Sequence, residues 1–483
     1  MTLIVLQELQ AYGANITPPF DASDLISKFK LEENIDLFSK IVLELSSTTF
    51  LKHQKNRLRF SDVSLNSIHD KEIPESYVKG ETYQFSFVGI IKVMGLTLII
   101  YPKYIIDVSK DVENQFKKFK QILKVLELYE KRELQNLMAS ESEIIEEENS
   151  LSLAIQLLDY HSEYGLYTIE QKMYEESGEG IINWEKTINE APLVFSGNSP
   201  LYLPPYTEVT NIDELHIIRM IQLAVMKDIR KNYYDILFLL DFILPQNTEV
   251  DLDDLGDIET LIYHLDNEIN SQFITHKIEL IRLLKLYLLS HKRKDLYSNL
   301  TFYGVTKFDR VWEDVCKKVY GDDLGKSLSY LGLKNTMMLD KSTLLKDVIE
   351  KPLWIDEKTM KEVKASKSLE LDVLHVNKKE KVFEIYDAKY YLMSFKGNQI
   401  IGQPGIGDIT KQYLYEQGYK AIAELNDYKF TNTFIIPKDE LEDDKGEGVV
   451  FAKVSLPIFN KMGLSSIKTV ARDSEILFEL YLN

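Results

Sequence analysis

The spacing of apolar residues changes character along the 483-residue chain. Residues 1 to about 50 carry apolar residues at helical spacing, which predicts helices. From about residue 56 to residue 105 the pattern becomes alternating or continuously apolar and rich in Val, Ile, Tyr and Phe, as in YQFSFVGIIKV and LTLIIYPKYI. Such runs are typical of β-strands. Residues 1–105 are therefore expected to form a small N-terminal unit that is rich in β-structure.

Helical spacing returns after residue 106. A long amphipathic helix is predicted over about 107–137, and apolar helical stretches resume between about 212 and 291. Between them, residues 163–208 contain glycines, prolines and aromatic residues in an order that predicts hairpins. Residues 106–295 are expected to form a helical body with an inserted β-hairpin element.

Residues 296–483 alternate between helical and strand patterns. The order of these elements predicts an α/β domain with a mixed sheet flanked by helices, within a chain that is α+β overall. The predicted elements are a helix at 308–321, strands at 368–376 and 381–391 joined by a turn at 377–380, a glycine-rich loop at 397–407, a helix at 408–428 with Asp408 as its N-cap, and strands at 430–437 and 449–457.

Composition limits the kinds of partner. The chain has 76 acidic and 57 basic residues, and its formal net charge of −19 opposes nonspecific attraction to nucleic acid. Its one cysteine, Cys316, excludes an intramolecular disulfide framework. The longest apolar runs, such as residues 234–244, are too short to cross a bilayer. A cytoplasmic protein without membrane contact is therefore expected.

Two opposite charges interrupt the strand FEIYDAKYYL at 383–392. Residues two apart in a strand point to the same side, so Asp387 and Lys389 project together, and a hairpin partner places Asp372 beside them. Two carboxylates and an ammonium group suit phosphodiester hydrolysis. The acids can hold Mg²⁺, which prefers oxygen ligands and keeps several waters, while the lysine orients or deprotonates the attacking water.

Two further groups can complete this site. The backbone carbonyl of Ala388 is a possible ligand, and Glu313 of the preceding helix can supply another carboxylate. The simpler interpretation of Asp387 and Lys389 is a salt bridge on an edge strand. Their position in a strand dense in Phe, Ile and Tyr favours a functional use, because burial penalises charges that have none.

A second motif, GDDLGKS at 321–327, ends like a phosphate-binding loop. Its glycines are one residue too close, its two aspartates would repel phosphate, and a helix precedes it instead of a strand. Nucleotide binding is not expected there.

Several strings, taken in order, resemble a known family. FVGIIKVMGLTLIIYPKYI, GEGIINWEKTI, YGVTKFDRVWEDVCKKVYG, KPLW and YDAKYY are similar to the LlaJI-type restriction endonucleases, which are akin to the McrC nuclease subunit of modification-dependent restriction systems. The resemblance runs from about Phe87 to Tyr419. Asp372 followed by Asp387, Ala388 and Lys389 also resembles the PD-(D/E)XK nuclease core, with Leu371 standing where the proline of that motif usually does.

The resemblance implies roles for individual residues. Asp372 and Asp387 would be metal ligands and Lys389 the catalytic lysine, with Glu313 as the supporting acid of the helix. Lys411 and Gln412 would orient the site or contact the DNA backbone.

The resemblance also implies partners. The chain would cut double-stranded DNA in a restriction system and assemble with a separate AAA+ GTPase subunit of the McrB kind. The N-terminal β-rich unit, with YPKYI at 101–105, is the candidate surface for that partner. Two alternatives remain open, namely a non-catalytic adaptor that activates the AAA+ subunit and holds DNA, and a repair nuclease that acts alone.

Overall fold

A computed structural model describes residues 2–16, 21, 23–54, 82–105, 112–139, 150–239, 242–243, 248–294, 300–334, 340, 342–441, 448–464 and 466–483. The predicted strand around residues 56–65 lies outside these ranges. The chain divides into two compact units, the first formed by Met1–Glu141 with Asn299–Asn483 and the second by Ser142–Ser298. The functional boundaries at residues 105 and 295 stay a prediction, because a compact unit is not a functional assignment.

The N-terminal segment of the first unit contains strands, two helices and the long helix that follows them. Its elements are β1 (Thr2–Gln7), β2 (Ala11–Gly13), α1 (Leu25–Phe29), α2 (Ile35–Ser47), β3 (Leu51–Gln54), β4 (Thr82–Phe85), β5 (Val88–Val93), β6 (Leu96–Tyr101) and α3 (Val112–Ala139). The all-helical prediction for residues 1–50 is wrong over β1 and β2. The run TLIVLQ pairs in parallel with β6, and a run this short cannot be assigned to helix or strand by its spacing.

The second unit is mostly helical and carries hairpins, as predicted. Its elements are α4 (Ser150–Tyr164), β7 (Glu170–Glu176), β8 (Ile181–Ile182), α5 (Trp184–Glu190), β9 (Leu193–Ser196), β10 (Ser199–Tyr202), β11 (Tyr206–Ile212), α6 (Ile217–Leu239), α7 (Leu252–Leu255), α8 (Ile258–Ser271) and α9 (Thr275–Lys294). The strands pair in the orders β7-β11-β8 and β10-β9.

The C-terminal segment returns to the first unit. Its elements are β12 (Leu300–Val305), α10 (Phe308–Tyr320), α11 (Leu328–Leu331), a 3-10 turn (Leu345–Val348), β13 (Leu353–Ile355), β14 (Glu362–Lys364), β15 (Val373–Asn377), β16 (Val382–Ala388), β17 (Ser394–Lys396), β18 (Gln399–Ile401), α12 (Ile406–Leu425), β19 (Lys429–Lys438), β20 (Val449–Val454), α13 (Pro457–Lys461), β21 (Ile467–Asp473) and α14 (Ser474–Leu482). The predicted loop at 397–407 contains β18 and the first turn of α12, so this prediction is wrong in part.

A five-stranded sheet of order β15-β16-β19-β21-β20 forms the core of this segment. Strands β16, β19 and β21 are parallel, while β15 and β20 are antiparallel edge strands. Phe383 and Ile385 of β16 pack with Tyr419 of α12 on one face. Tyr386 points to the other face, where its ring lies 4.4 Å from that of Tyr320 at the end of α10. The predicted α/β fold with a mixed sheet between helices is confirmed.

The N-terminal strands form a second sheet with a strand from the C-terminal segment. Its order is β1-β6-β5-β12, and β12 pairs antiparallel with β5. A separate three-stranded sheet has the order β2-β4-β3. The segment YPKYI is buried at every position from Tyr101 to Ile105. These five side chains therefore pack inside their own unit, and the use of the N-terminal β-rich part as a surface for a partner stays a prediction.

Among the described residues, no helix is both long enough and apolar enough to cross a membrane.

Candidate active site

The hairpin of β15 and β16 brings Asp372 and Asp387 together. Val373 pairs with Tyr386, so continuing the register by one residue places Asp372 opposite Asp387. The amide N–H of Ala388 donates a hydrogen bond of 2.8 Å to Oδ2 of Asp372. The sequence predicts a strand at 368–376, but β15 begins only at Val373. Asp372 therefore lies just before the strand.

Lys389 follows the last residue of β16 and is largely buried. Its Nζ lies 2.8 Å from Oδ2 of Asp387 and 3.0 Å from Oδ1 of Asp408. Its backbone N–H donates to the carbonyl of Ile435 on β19 at 2.8 Å, which continues the strand pairing past the end of β16. Burial lowers the pKa of Lys389, but the neighbouring carboxylates, Asp387 foremost, raise it above its ordinary value overall.

Asp372 is partly buried opposite a second carboxylate, that of Asp387. Burial, and after it the negative charge of Asp387, raise its pKa from 3.8 to about 8, with a smaller contribution from Glu313. The hydrogen bond from the Ala388 N–H acts in the opposite direction. A positive charge placed beside Asp372 would favour the ionised form of its carboxyl group.

Glu313 of helix α10 lines a cleft that also contains Asp372 and Lys389. Its carboxylate is about a third exposed and binds Nζ of Lys317 at 2.6 Å. The preceding residue, Trp312, is fully buried and donates its indole N–H to the carbonyl of Ile435 at 3.2 Å, which fixes α10 against the sheet. The cleft has a volume of about 430 Å³ and is lined by Glu8, Leu9, Lys52, Ser86, Lys103, Thr306, Asp309, Glu313, Asp372, Ala388, Lys389, Tyr390 and Tyr391.

The donor set of this site fits a hard divalent cation. It offers the carboxylates of Asp372 and Asp387 and the carbonyl of Ala388, all oxygen donors of the kind that Mg²⁺ prefers. Among the residues that the structure describes, no three His, Cys, Asp or Glu side chains lie close enough together to share a metal ion. Mg²⁺ usually keeps several waters, so waters or substrate phosphate oxygens would complete a coordination shell begun by these donors.

Lys411 and Gln412, neighbours on α12, differ in their exposure. Lys411 is exposed, whereas Gln412 has no accessible surface. Neither polar atom of the Gln412 amide has a hydrogen-bond partner within the described residues. A direct contact between Gln412 and DNA does not agree with this burial. Its role in orienting the site stays a prediction.

Asp408 has a role that the sequence analysis missed. The helix begins at Ile406 instead of Asp408, and Asp408 lies in its first turn. Its Oδ2 accepts the N–H of the N-cap residue Gly405 at 3.0 Å, while its Oδ1 holds Lys389. An acidic residue in a first helical turn is an ordinary capping signal. Only the folded chain shows that this carboxylate also reaches Lys389, just after the end of β16.

The sequence analysis also missed two aspartates that bind the backbone of β15 along its outer edge. Oδ1 of Asp322 accepts the N–H of Leu374 at 3.0 Å, and Oδ2 of Asp323 accepts the N–H of Val376 at 2.8 Å. These carboxylates satisfy backbone donors that an edge strand otherwise leaves open. Both belong to the GDDLGKS motif, which here supports the strand that follows Asp372.

The chain is similar in sequence to known proteins. The family model described as LlaJI restriction endonuclease matches residues 87–471. The type II restriction enzyme BsuMI component YdjA of Bacillus subtilis (strain 168) is 28% identical over 418 residues, which is 82% of this chain and 80% of that protein.

Two solved structures are also similar. A refined half-complex from the tetradecameric assembly of Thermococcus gammatolerans McrB AAA+ hexamers with bound McrC has a TM-score of 0.40 and 14% identity, covering 100% of this chain and 98% of that chain. The McrBC complex of the same organism has a TM-score of 0.26 and 15% identity, covering 67% of this chain and 89% of that chain.

Proposed function

Because the chain belongs to the LlaJI restriction endonuclease family, we propose that it is the Mg²⁺-dependent DNA endonuclease subunit of a prokaryotic restriction system. The observation that carries the proposal is the convergence of Asp372, Asp387 and Lys389 at the end of β16, inside the residues that match the family. A strand end that buries two acids and a lysine in one place is suited to hydrolysis of a phosphodiester bond.

The two aspartates share one task in this mechanism. Asp372 and Asp387, with the carbonyl of Ala388, would hold the Mg²⁺ ion, which supplies positive charge to the scissile phosphate and acidifies a bound water. The N–H of Ala388 fixes Oδ2 of Asp372, so the carboxyl group is already oriented before a cation arrives. Glu313 borders the cleft and adds negative charge behind Asp372.

Lys389 would act on the substrate side. Its ammonium group is held charged by Asp387 and Asp408, which suits stabilisation of the negative charge that develops on the phosphate. It also suits the orientation of an attacking water through an N–H donor. A charged lysine is a poor general base, so the ionisation favours these roles over proton abstraction.

The substrate is proposed to be double-stranded DNA, and a McrB-like AAA+ GTPase is the proposed partner. The net charge of −19 supports a second chain, because DNA is itself a polyanion and this protein offers little general attraction to it. The relative from Bacillus subtilis is named as a component of a restriction enzyme. A nuclease that relies on another subunit for its grip on DNA agrees with both observations.

Plasmid cleavage tests the proposal. Supercoiled DNA is incubated with the full chain and Mg²⁺, with and without a candidate AAA+ GTPase and GTP. Wild type is compared with Asp387→Asn and Lys389→Ala, and Lys379→Ala serves as the matched control because Lys379 is exposed in the turn of the same hairpin. Each variant is first checked by its melting temperature.

The expected result is cleavage by wild type and by Lys379→Ala, and a loss of at least about 100-fold in the two site variants, as for groups that act together in the transition state. Equal cleavage by all four proteins would refute the assignment of the site. If none cuts under any condition while the chain still stimulates the GTPase, the adaptor alternative replaces the nuclease.

A further inference from the structure

Asp408 divides its carboxylate between two structural elements. Oδ2 accepts the N–H of Gly405 at the start of α12, 3.0 Å away, and lies 3.4 Å from the hydroxyl of Tyr391. Oδ1 accepts from Nζ of Lys389 at 3.0 Å. The side chain is about a quarter exposed. One carboxylate thus joins the beginning of a helix to the end of the catalytic strand.

The two acids that bind Lys389 differ in what else they can bind. Asp387 lies beside Asp372 and belongs to the donor set for the cation. Asp408 belongs to the first turn of α12, and its second oxygen is already used by the helix. When Asp387 turns its oxygens toward a cation, Lys389 would lose its nearer partner. Asp408 would then remain as the counter-ion of this largely buried ammonium. This matters because an unpaired buried charge is costly.

Helix α12 is fixed firmly enough to serve as an anchor. The hydroxyl of Tyr415 donates to the carbonyl of Glu370 at 2.6 Å, two residues before Asp372. The hydroxyl of Tyr419 donates to the carbonyl of Leu345 at 3.1 Å. The first turn of the helix therefore holds Lys389, while later turns hold the segment that leads into Asp372. A support of this kind keeps reacting groups within a narrow range of positions.

We propose that Asp408 is the positioning residue for Lys389, holding the ammonium in place so that Asp387 is free to bind the divalent cation. The inference rests on the proposed function and deepens it. It assigns to α12 a direct part in setting the geometry of the catalytic strand.

Three variants of the full chain test this role. Asp408→Asn keeps an oxygen that accepts the N–H of Gly405 but removes the charge that holds Lys389. Asp408→Glu restores the charge. Glu424→Gln is the matched control, because it removes a carboxylate that pairs with Lys420 at 3.9 Å on the exposed surface of the same helix.

Binding of Mg²⁺ is measured by calorimetric titration, and cleavage is measured as separate values of kcat and KM. Asp408→Asn is expected to weaken Mg²⁺ binding and to lower kcat by about 10-fold or more, as for other groups that orient metal ligands, with little change in KM. Asp408→Glu should recover part of both, and Glu424→Gln should match wild type. Wild-type Mg²⁺ affinity and kcat in Asp408→Asn would overturn the proposal.

A double-mutant cycle in unfolding midpoints tests the pairing without metal or DNA. Asp408→Asn, Lys389→Met and the double variant are unfolded in urea. The effects are expected to be non-additive, since contacting charges couple. Additive effects would overturn the inference whatever the cleavage result. If wild type neither binds Mg²⁺ nor cuts DNA but the cycle is non-additive, the proposed function fails while the contact between Asp408 and Lys389 stands.

Discussion

The hydroxyl of Tyr390 donates a hydrogen bond of 2.5 Å to the carboxylate of Glu8, a residue 382 positions earlier in the chain. Both side chains are buried. The same carboxylate accepts the backbone N–H of Lys103 at 3.2 Å, and Nζ of Lys103 lies 4.4 Å above the Tyr390 ring. Burial raises the pKa of Glu8, while the bond from Tyr390 opposes this rise. The residue next to Lys389 is thus locked to the N-terminal sheet.

Removal of the Tyr390 hydroxyl should therefore destabilise the first unit. Tyr390→Phe leaves the Glu8 carboxylate with one fewer donor in a buried place, which costs about 1–3 kcal/mol of the free energy of unfolding. Urea denaturation at neutral pH measures the change. Tyr391→Phe is the control, since Tyr391 is less buried and its hydroxyl makes a longer contact of 3.4 Å with Asp408. Equal losses in the two variants would argue against a special role for Glu8.

The raised pKa of Asp372 predicts a dependence of stability on pH. A carboxyl group that ionises at about 8 when folded and at 3.8 in its ordinary state binds its proton more tightly in the folded chain. Its contribution to the free energy of unfolding is therefore fully present below pH 3.8 and is lost as the pH rises toward 8. Asp372→Asn carries no such charge, so without divalent cations it should lose less stability than wild type over this interval.

Urea midpoints of both proteins at about pH 5 and about pH 8 check this prediction. Addition of Mg²⁺ at the higher pH is expected to raise the midpoint of wild type more than that of Asp372→Asn, because a ligand of the folded state stabilises it by mass action. A difference between the two proteins that stays constant with pH would contradict the assignment of the shift to Asp372.

Asp323 is expected to control the order of strand β15. Asp323→Ala removes the acceptor of the Val376 N–H and an ion pair with Lys326 at 2.6 Å. The loss should accelerate hydrogen exchange in residues 373–377 and lower the free energy of unfolding by about 1–3 kcal/mol. Asp356→Ala, in an exposed turn between β13 and β14, is the control and should leave that exchange rate unchanged. Unaltered exchange in Asp323→Ala would show that β15 does not need this carboxylate.

Gly304 and Gly89 face each other across β12 and β5, and neither can accept a side chain. Both have positive φ, at 147° and 141°. A Cβ on Gly304 would lie 2.0 Å from the carbonyl oxygen of Val88, a backbone atom that cannot move aside. Gly304→Ala should therefore separate β12 from β5 and reduce the yield of folded protein severely. Gly325→Ala, which meets no atom within 4 Å, should fold normally; a well-folded Gly304→Ala protein would disprove the constraint.

The sequence was most informative where one pattern extends over many residues. Helix α3, helix α10 and the hairpin of β15 and β16 follow from spacing and turn residues alone, and the ordered strings identified the restriction endonuclease family, which the match over residues 87–471 confirms. Strand β1 was misassigned because its short run of four apolar residues fits helix and strand equally well. Strand β21 and helix α14 were not predicted, because no element was assigned beyond residue 457.

The centre of the site was predictable and its supports were not. Asp372, Asp387 and Lys389 lie on one hairpin, so local register brings them together. Asp408 and Glu8 reach the same place through tertiary packing, from 19 and 382 residues away respectively. Glu8 follows a short strand, TLIVLQ, just as Asp387 follows FEIY within β16. Its partner Tyr390 could not be identified without the fold.

The division of the first unit between Met1–Glu141 and Asn299–Asn483 has a consequence for synthesis. A ribosome makes the N-terminal sheet long before β12, the strand that completes it, and makes Glu8 long before Tyr390. A nascent chain truncated anywhere before residue 372 contains neither aspartate of the proposed site. If the chain cuts DNA as proposed, translation that stops before residue 372 would release no active fragment, and the activity would arise only when the last third of the chain has been made.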